Sequence, residues 1–182
     1  ITAKYGRNTK TIYYDVTNFY FEIDEADGFR RRGLSKEKRP DPIVQMGLAM
    51  DADGIPLHYQ LFPGNTVDKK TFRPVIGEVR RNYDTGRIIV VADMGIITGD
   101  NIYYLQGKEK GKNFNGYVFS FSVRGGTKAF KEYVLSAKGY VDKDGKPADE
   151  DTDFKVKSRV IARDINVTLL NGKKEKKTVY EK

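Results

Sequence analysis

The chain has 182 residues, 38% of them hydrophobic and 32% charged, which indicates a folded protein with a real core and a very polar surface. The absence of cysteine excludes disulfides, thiolate zinc sites and a cysteine nucleophile, and the single histidine, His58, leaves little material for a multi-histidine metal site. A formal charge of +8 favours a polyanionic partner, of which nucleic acid is the commonest. The sequence has no apolar run of about 18 residues and no signal-peptide pattern, so a soluble cytoplasmic protein is expected.

Three strands are predicted in the first third of the chain. The first is the aromatic and β-branched run TIYYDVTNFYFEID, residues 11–24. The second and third, residues 42–51 and 55–62, flank an Asp-Gly pair, which is a strong short-range signal for a hairpin. Asp15 interrupts the first strand, where aspartate is depleted and is costly to bury without a partner. Strand formation therefore does not explain why an aspartate occupies position 15.

Two helices and two further strands follow. The stretch PGNTVDKKTFRPVIGEVRRNY has apolar residues at helical spacing, with Thr71 as the predicted cap and Pro74 in the first turn. Residues 88–91 form an apolar run without alternation, which is typical of a strand covered on both faces. Thr98 is the predicted cap of the second helix, and residues 116–123 are the predicted fifth strand. The order β-β-β-α-β-α-β indicates the α/β class.

The chain changes character after the fifth strand. A short helix is predicted over residues 127–136, and alternating strands with a hairpin at Asn171-Gly172 follow an acidic turn region. We therefore expect an α/β core over residues 1–124 and a β-rich subdomain or insertion over residues 125–182. The absence of an initiator methionine and the charged final strand suggest an excised fragment.

One loop concentrates positive charge. Between the first and second strands, GFRRRGLSKEKRPD carries six basic residues against two acidic ones. The pattern is open to two interpretations, a solvated mobile loop without a partner and a loop that binds phosphates. On the second interpretation, charge and loop position make Lys36, Lys38 and Arg39 the candidate phosphate contacts.

Two strand aspartates are candidates for chemistry. Asp15 in the first strand and Asp93 at the end of the fourth lie side by side if those strands are neighbours in the sheet. Adjacent carboxylates repel unless a cation lies between them. Mg²⁺ binds one or two carboxylates together with water and substrate phosphates, and this arrangement lowers the barrier to in-line attack on a phosphodiester. The structural alternative is that Asp15 pairs with a basic side chain and Asp93 makes a turn.

Several motifs together resemble one protein family. The runs YYDVTNFYFE, GLSKEKRPD, QMGLAMDADGIPLHYQLFPGNTVDKKTF and IIVVADMGIITGDNIYYL, in order within residues 11–121, resemble the transposases of bacterial insertion sequences in the IS-four-like group, which use a DDE catalytic triad. The resemblance implies an RNase H-like mixed sheet with flanking helices and a β-rich insertion after the fifth strand. It also implies a DNA transposase that hydrolyses phosphodiesters at the ends of its element and transfers the freed strand to target DNA. Mg²⁺ or Mn²⁺ would be the cofactor.

The resemblance carries over to individual residues. Asp15 in DVTNFYFE matches the first acid of the triad and Asp93 in VADMG the second, so each would be catalytic and would bind the metal. The third acid is a glutamate in a Tyr-x-x-Arg-x-x-Glu helix, and neither Glu175 nor Glu181 has that pattern around it. The catalytic helix is therefore expected outside this chain, which alone should cut DNA poorly or not at all. Met94 stands where the family more often has arginine.

The partners implied by the resemblance are transposon-end and target DNA and, in the full-length protein, a second copy in a homodimer, without a membrane. Two other functions stay open. Another RNase H-like nuclease, such as a resolvase, would recognise branched DNA rather than element ends. A domesticated, non-catalytic module would bind DNA without metal and without any need for Asp15.

Overall fold

The computed structural model describes residues 6–33, 39–83, 85–106 and 115–182. The chain forms two compact units, Ile1–Ser120 and Phe121–Lys182. None of the helices described has the length and apolar character that crossing a membrane requires.

The first unit is built on a five-stranded mixed sheet in the order β3-β2-β1-β4-β5. β1 (Thr11–Tyr20) pairs antiparallel with β2 (Ile43–Met50), which pairs antiparallel with β3 (Pro56–Pro63). β4 (Ile89–Ala92) runs parallel to β1, and β5 (Gly116–Phe119) runs parallel to β4. The predicted α/β class, with an RNase H-like mixed sheet and flanking helices, is confirmed, and strands one and four are neighbours.

The core of this unit lies between one face of the sheet and α1 (Asp68–Asn82). Alternation along β1 turns every second side chain toward the helix. The Tyr14 ring meets Phe72 of the helix edge-on, with 5.3 Å between ring centroids. The buried side chains of β1, β4 and α1 in this core are Ile12, Tyr14, Val16, Val90, Ala92, Phe72, Val75, Ile76 and Val79. A second helix, α2 (Gly99–Gln106), adds buried apolar side chains of its own.

α1 begins earlier than the sequence pattern predicted. The helix starts at Asp68 after Val67, so Thr71 is not its cap and Pro74 lies inside the helix rather than in its first turn. Thr71 is instead fully buried. Its hydroxyl is 2.7 Å from the Asp68 carbonyl oxygen, to which it donates, and 2.5 Å from the Tyr14 hydroxyl. The prediction that Thr71 caps the helix was wrong because its hydroxyl bonds instead to Tyr14, a residue 57 positions away that local sequence patterns do not connect with it.

Both predicted hairpin turns are confirmed. Gly54 and Gly172 have φ of 76° and 79°, in the left-handed region that favours glycine. At the first turn, Asp51 Oδ1 accepts the backbone N–H groups of Asp53 at 3.1 Å and of Ile55 at 2.9 Å. Asp51 Oδ2 lies 2.8 Å from Arg7 Nε, with both side chains almost fully buried, so a buried ion pair supports this end of the sheet.

The second unit contains one helix and one hairpin. Helix α3 (Lys128–Leu135) is capped by Thr127, whose hydroxyl accepts the Phe130 N–H at 3.2 Å. β6 (Ile161–Thr168) and β7 (Lys174–Glu181) form an antiparallel two-stranded sheet. The helix and the hairpin were both predicted.

Replacing Tyr14 with phenylalanine tests the buried hydroxyl pair through its pH dependence. Burial raises the pKa of Tyr14 above the ordinary tyrosine value of about 10. Above that pH the unfolded chain therefore releases a proton that the folded chain keeps, so the stability that Tyr14 contributes is complete below pH 10 and is lost as the pH rises. We expect the difference in unfolding free energy between wild type and Tyr14→Phe to fall by about 1.4 kcal/mol per pH unit above pH 10.

Urea denaturation at a series of pH values measures this difference. The matched control, Tyr59→Phe, removes the same hydroxyl from a ring that is 61% exposed, and its difference should stay constant over the same range. Parallel behaviour of the two variants would show that the Tyr14 hydroxyl is not held in a buried environment.

Candidate active site

Asp15 and Asp93 lie next to each other across two parallel strands. β1 and β4 pair in register up to Tyr14 with Ala92. Asp93 follows with extended backbone, φ −74° and ψ 164°, so the next pair along these strands is Asp15 with Asp93. The two residues therefore occupy neighbouring backbone positions at the carboxyl end of β4.

Both acids lie on the face of the sheet that is opposite α1. Tyr14 and Ala92 are buried toward the helix, whereas Asp15 and Asp93 are exposed. The two faces differ because successive side chains of a strand point to opposite sides. The carboxyl ends of parallel strands are where open α/β sheets commonly bind ligands. Asp15 and Asp93 are thus exposed to solvent near the carboxyl ends of parallel strands, a position suited to binding a ligand.

Ser120 extends this row of polar side chains to a third strand. β4 and β5 pair in register up to Ala92 with Phe119, and the Ser120 N–H donates to the Ala92 carbonyl oxygen at 3.4 Å. The Ser120 hydroxyl donates to Asp93 Oδ1 at 2.7 Å and accepts the Met94 N–H at 3.0 Å. The Met94 N–H also lies 2.5 Å from Asp93 Oδ1, which accepts it. Together these bonds fix the orientation of the Asp93 carboxylate.

Asp93 also begins a short 3-10 helix, Met94–Ile96, for which it is the N-cap. Asp93 therefore makes a turn, as the structural alternative to a metal site predicted. Its Oδ1 atom accepts the hydrogen bonds from the Met94 N–H and the Ser120 hydroxyl. Ser120 was missed by the sequence analysis. The alternation of residues in GYVFSFSV indicates that Ser120 is on one face of a strand. Only the register of β5 against β4 shows that this position is beside Asp93.

The side chains that could bind a metal here are the carboxylates of Asp15 and Asp93. Across the described ranges, no three His, Cys, Asp or Glu side chains are grouped so that they could hold a metal ion. Two carboxylates on adjacent strands fit Mg²⁺, which takes one or two protein carboxylates and fills its remaining positions with water and phosphate oxygens. Glu175 and Glu181 belong to the second unit, where they pair with Lys177 and Arg163, each at 2.6 Å.

The segment that contains the basic loop leaves the sheet at the carboxyl end of β1. The last residue of that strand, Tyr20, is five residues beyond Asp15. Its first part is fastened to the sheet, because Arg31 and Ile43 exchange backbone hydrogen bonds of 3.1 and 2.9 Å. The Gly64 N–H donates to the Phe29 carbonyl oxygen at 3.2 Å. A Cβ on Gly64 would overlap the carbonyl oxygens of Ile43 and Arg31, so only glycine permits this close approach.

Asp27 orders the start of the same loop. Its carboxylate accepts the backbone N–H groups of Phe29 at 2.8 Å and of Arg30 at 2.6 Å, and the Arg30 Nε at 2.6 Å. These hydrogen bonds, the one from Phe29 first, lower the pKa of Asp27 to about 2. Residues 27–31 therefore form a hydrogen-bonded turn at the start of the loop.

The three candidate phosphate contacts lie further along the loop. Lys36 and Lys38 lie outside the described residues. Arg39 Nε is 2.9 Å from Asp41 Oδ2, and its guanidinium lies 4.9 Å from the centroid of the Tyr20 ring. Arg39 is thus held at the surface beside the last residue of β1.

No protein-family model matches the sequence, and no curated protein matches it. Solved structures that the chain matches in part include the Mos1 transposase paired-end complex with left transposon end, with 14% identity over 65% of this chain and a TM-score of 0.39. The Mos1 mariner paired end complex with Mn and the Mos1 Strand Transfer Complex each share 13% identity over 63% of this chain, with TM-scores of 0.33 and 0.38. The matched part spans 35–37% of the Mos1 chains. With identities of 13–14% and TM-scores of 0.33–0.39, these similarities do not indicate the function of this chain.

Replacing Ser120 with alanine tests the bonds that hold Asp93. We expect the Asp93 side chain to change from one rotamer to several, because the Ser120 hydroxyl donates to its Oδ1. Stability should fall by only about 0.5–1.5 kcal/mol, the usual net contribution of one hydrogen bond. Three-bond couplings of the Asp93 side chain, measured by NMR, report the rotamers.

The matched control is Ser122→Ala, since Ser122 is a nearby, partly exposed serine that also accepts a local bond, from the Gly125 N–H at 3.3 Å. It should leave the Asp93 couplings unchanged. If Ser120→Ala also leaves them unchanged, other contacts of the carboxylate, the Met94 N–H among them, fix its orientation, and Ser120 has no positioning role.

Proposed function

We propose that this chain is part of the catalytic domain of a DNA transposase of the bacterial insertion-sequence type, with Asp15 and Asp93 as two of its catalytic acids. The observation that carries the proposal is the adjacency of these carboxylates on the exposed face of two neighbouring parallel strands. Two like charges this close favour a cation between them. The family motifs around both residues, DVTNFYFE and VADMG, point to the same pair.

In this proposal the two acids hold a divalent ion, Mg²⁺ or Mn²⁺, through carboxylate oxygens. When bound, the ion supplies charge stabilisation at the reacting phosphate and activates the attacking oxygen. Ser120 and the Met94 N–H keep the Asp93 carboxylate in one orientation. β1 keeps Asp15 in place through its register with β2, where Asp15 faces Leu48. The reaction is hydrolysis of the phosphodiester at an element end, followed by transfer of the freed 3′ end to target DNA.

The proposal assigns a third catalytic glutamate to a part of the protein outside this chain. Glu175 and Glu181 are the acids of the terminal strand, and their ion pairs within the second unit support leaving them out of the site. We assign the second unit, Phe121–Lys182, to the insertion that follows the fifth strand in this family. The chain alone is then expected to cut DNA poorly, and the full-length protein to act as a homodimer on paired ends.

Metal binding tests the proposal without relying on activity. Mn²⁺ titration followed by electron paramagnetic resonance should give one site of measurable affinity in the wild-type chain. Asp15→Asn and Asp93→Asn should each weaken it by at least about tenfold, because each removes one charged oxygen ligand while keeping the size of the side chain.

The matched control is Asp53→Asn. Asp53 is an exposed residue of the β2–β3 turn, five residues beyond Leu48, the β2 residue that faces Asp15, and asparagine before glycine suits the same turn. Its Mn²⁺ affinity should equal that of the wild type. Unchanged affinity in both site variants would overturn the proposed catalytic pair, and retained DNA binding in the same samples would favour a non-catalytic DNA-binding module.

The basic loop is proposed to contact DNA phosphates through Lys36, Lys38 and Arg39. Changing all three to glutamine should weaken binding to a similar degree for every DNA sequence, because phosphate contacts carry no sequence information. The slope of log affinity against log salt should become shallower by about 2.7, at roughly 0.9 per contact. Fluorescence anisotropy with two unrelated duplexes measures both effects, and an unchanged slope would remove the loop from the interface.

A further inference from the structure

The β6–β7 hairpin presents two different faces. Along KEKKTVYE in β7, alternation sends Glu175, Val179 and Glu181 to one face together with Lys177. This face includes the buried apolar residues of the hairpin, Ile165, Val167 and Val179. The opposite face is exposed along both strands; its members are Lys174, Lys176, Thr178 and Tyr180 from β7 and Ala162, Asp164, Asn166 and Thr168 from β6. We call this second set the ribbon face.

The two faces differ in net charge: the partly buried face balances its charges, and the ribbon face has one more cation than acids. Both glutamates of β7 are on the partly buried face, where Glu175 pairs with Lys177 at 2.6 Å and Glu181 pairs with Arg163 at 2.6 Å. The ribbon face has one acid, Asp164, whose Oδ1 accepts the Thr178 hydroxyl at 2.8 Å. Asp164 stands diagonally across from Lys176, whereas Lys174 has no acid opposite or diagonal to it on this face.

Lys174 and Lys176 stand opposite polar side chains rather than acids. In the hairpin register Lys174 faces Thr168 and Lys176 faces Asn166. Within the described part of the chain neither lysine has an ion-pair partner. The ring of Tyr180, 74% exposed, lies further along the same face. The ribbon face thus carries two cations with amide and hydroxyl groups around them, and these are the groups that bond phosphate oxygens in protein–DNA interfaces.

We propose that the ribbon face is a second DNA-contacting surface, in which Lys174 and Lys176, assisted by Asn166 and Tyr180, bind phosphates of duplex DNA. This deepens the proposed function, on which it rests, by assigning part of the DNA contact to the second unit. The shape is compatible, because an exposed two-stranded β-ribbon can lie against the phosphates that border the major groove of B-DNA, about 12 Å wide. The charge of the unit fits as well, since residues 121–182 have 15 Lys and Arg against 10 Asp and Glu.

The contact is to the phosphate backbone and is independent of sequence, since its charged groups are lysines, which bind phosphates as point charges. Neutralising them should therefore change the salt dependence of binding more than the choice between duplexes. Surface substitutions of this kind usually change stability by less than about 0.5 kcal/mol, so the hairpin should stay folded.

The test is the double variant Lys174→Gln/Lys176→Gln in the full chain, with binding to a short fluorescent DNA duplex followed by anisotropy. The slope of log affinity against log salt should become shallower by about 1.8. Between about 50 and 200 mM salt, the wild-type affinity should then fall roughly tenfold more than that of the variant. Lys174→Arg/Lys176→Arg keeps the charge and should restore the wild-type slope, which separates loss of charge from loss of folding.

The matched control is Lys143→Gln/Lys146→Gln. These lysines are also exposed in the second unit, and they lie at a turn beside Asp142 and Asp144. The control should keep the wild-type slope. An equal change in both double variants would mean a general charge effect and would overturn the assignment to the ribbon face.

Two further outcomes separate this inference from the proposed function. Wild-type DNA binding with an unchanged slope in the ribbon variant overturns the ribbon face alone, because the Mn²⁺ measurement on Asp15 and Asp93 stands independently. Tighter binding to an RNA duplex of the same sequence, with the same loss in the variant, would assign the face to RNA and overturn its assignment to DNA.

Discussion

The parallel pairing of β1 with β4 is the constraint on which the rest of the first unit depends. These strands are far apart in the chain, and their register sets which side chains stand opposite one another. With Tyr14 opposite Ala92, the buried positions of both strands face α1 and the two aspartates fall on the other side. A shift of one residue in either strand would put an acid into the core, where an unpaired carboxylate costs several kcal/mol. Burial of the core face therefore fixes the position of the acids.

The core face is held by specific contacts as well as by apolar burial. The edge-on packing of Tyr14 against Phe72 and the hydroxyl pair of Tyr14 and Thr71 attach α1 to β1 at one angle. The residue after Tyr14 is Asp15, so the contact that orders the core also orders the candidate site. On the exposed face, the polar row continues through Asp93 to Ser120, the residue that directly follows β5. The site thus has Asp15 on a strand, and Asp93 and Ser120 each directly after one, where the strands still define their positions.

Local sequence patterns predicted the strands and both hairpins, whereas the neighbouring positions of strands one and four followed from the RNase H-like sheet that the family resemblance implied. The Asp-Gly and Asn-Gly turns need glycine with positive φ, and that requirement is visible in the sequence. Asp15 was recognised because an acid interrupts an aromatic strand. Its role and that of Asp93 are implied by a family resemblance and stay predictions.

The features that sequence missed depend on contacts between distant residues. Thr71 has the chemistry of a helix cap but is buried against Tyr14, and only the packing of α1 shows it. Ser120 reaches Asp93 through the register of β5, which no local pattern contains. The buried ion pair of Arg7 with Asp51 likewise joins a residue ahead of β1 to a hairpin turn. For Thr71 the tertiary contact overrode the local preference of the residue, whereas Asp51 makes its turn hydrogen bonds and the distant ion pair together.

The most direct measurement of the central claim is a crystal structure of this chain after a Mn²⁺ soak, with anomalous scattering to locate the metal. The account predicts one strong anomalous peak bonded to oxygens of both Asp15 and Asp93, at distances of about 2.1 Å. Metal bound elsewhere, with the two carboxylates turned away from each other, would contradict it.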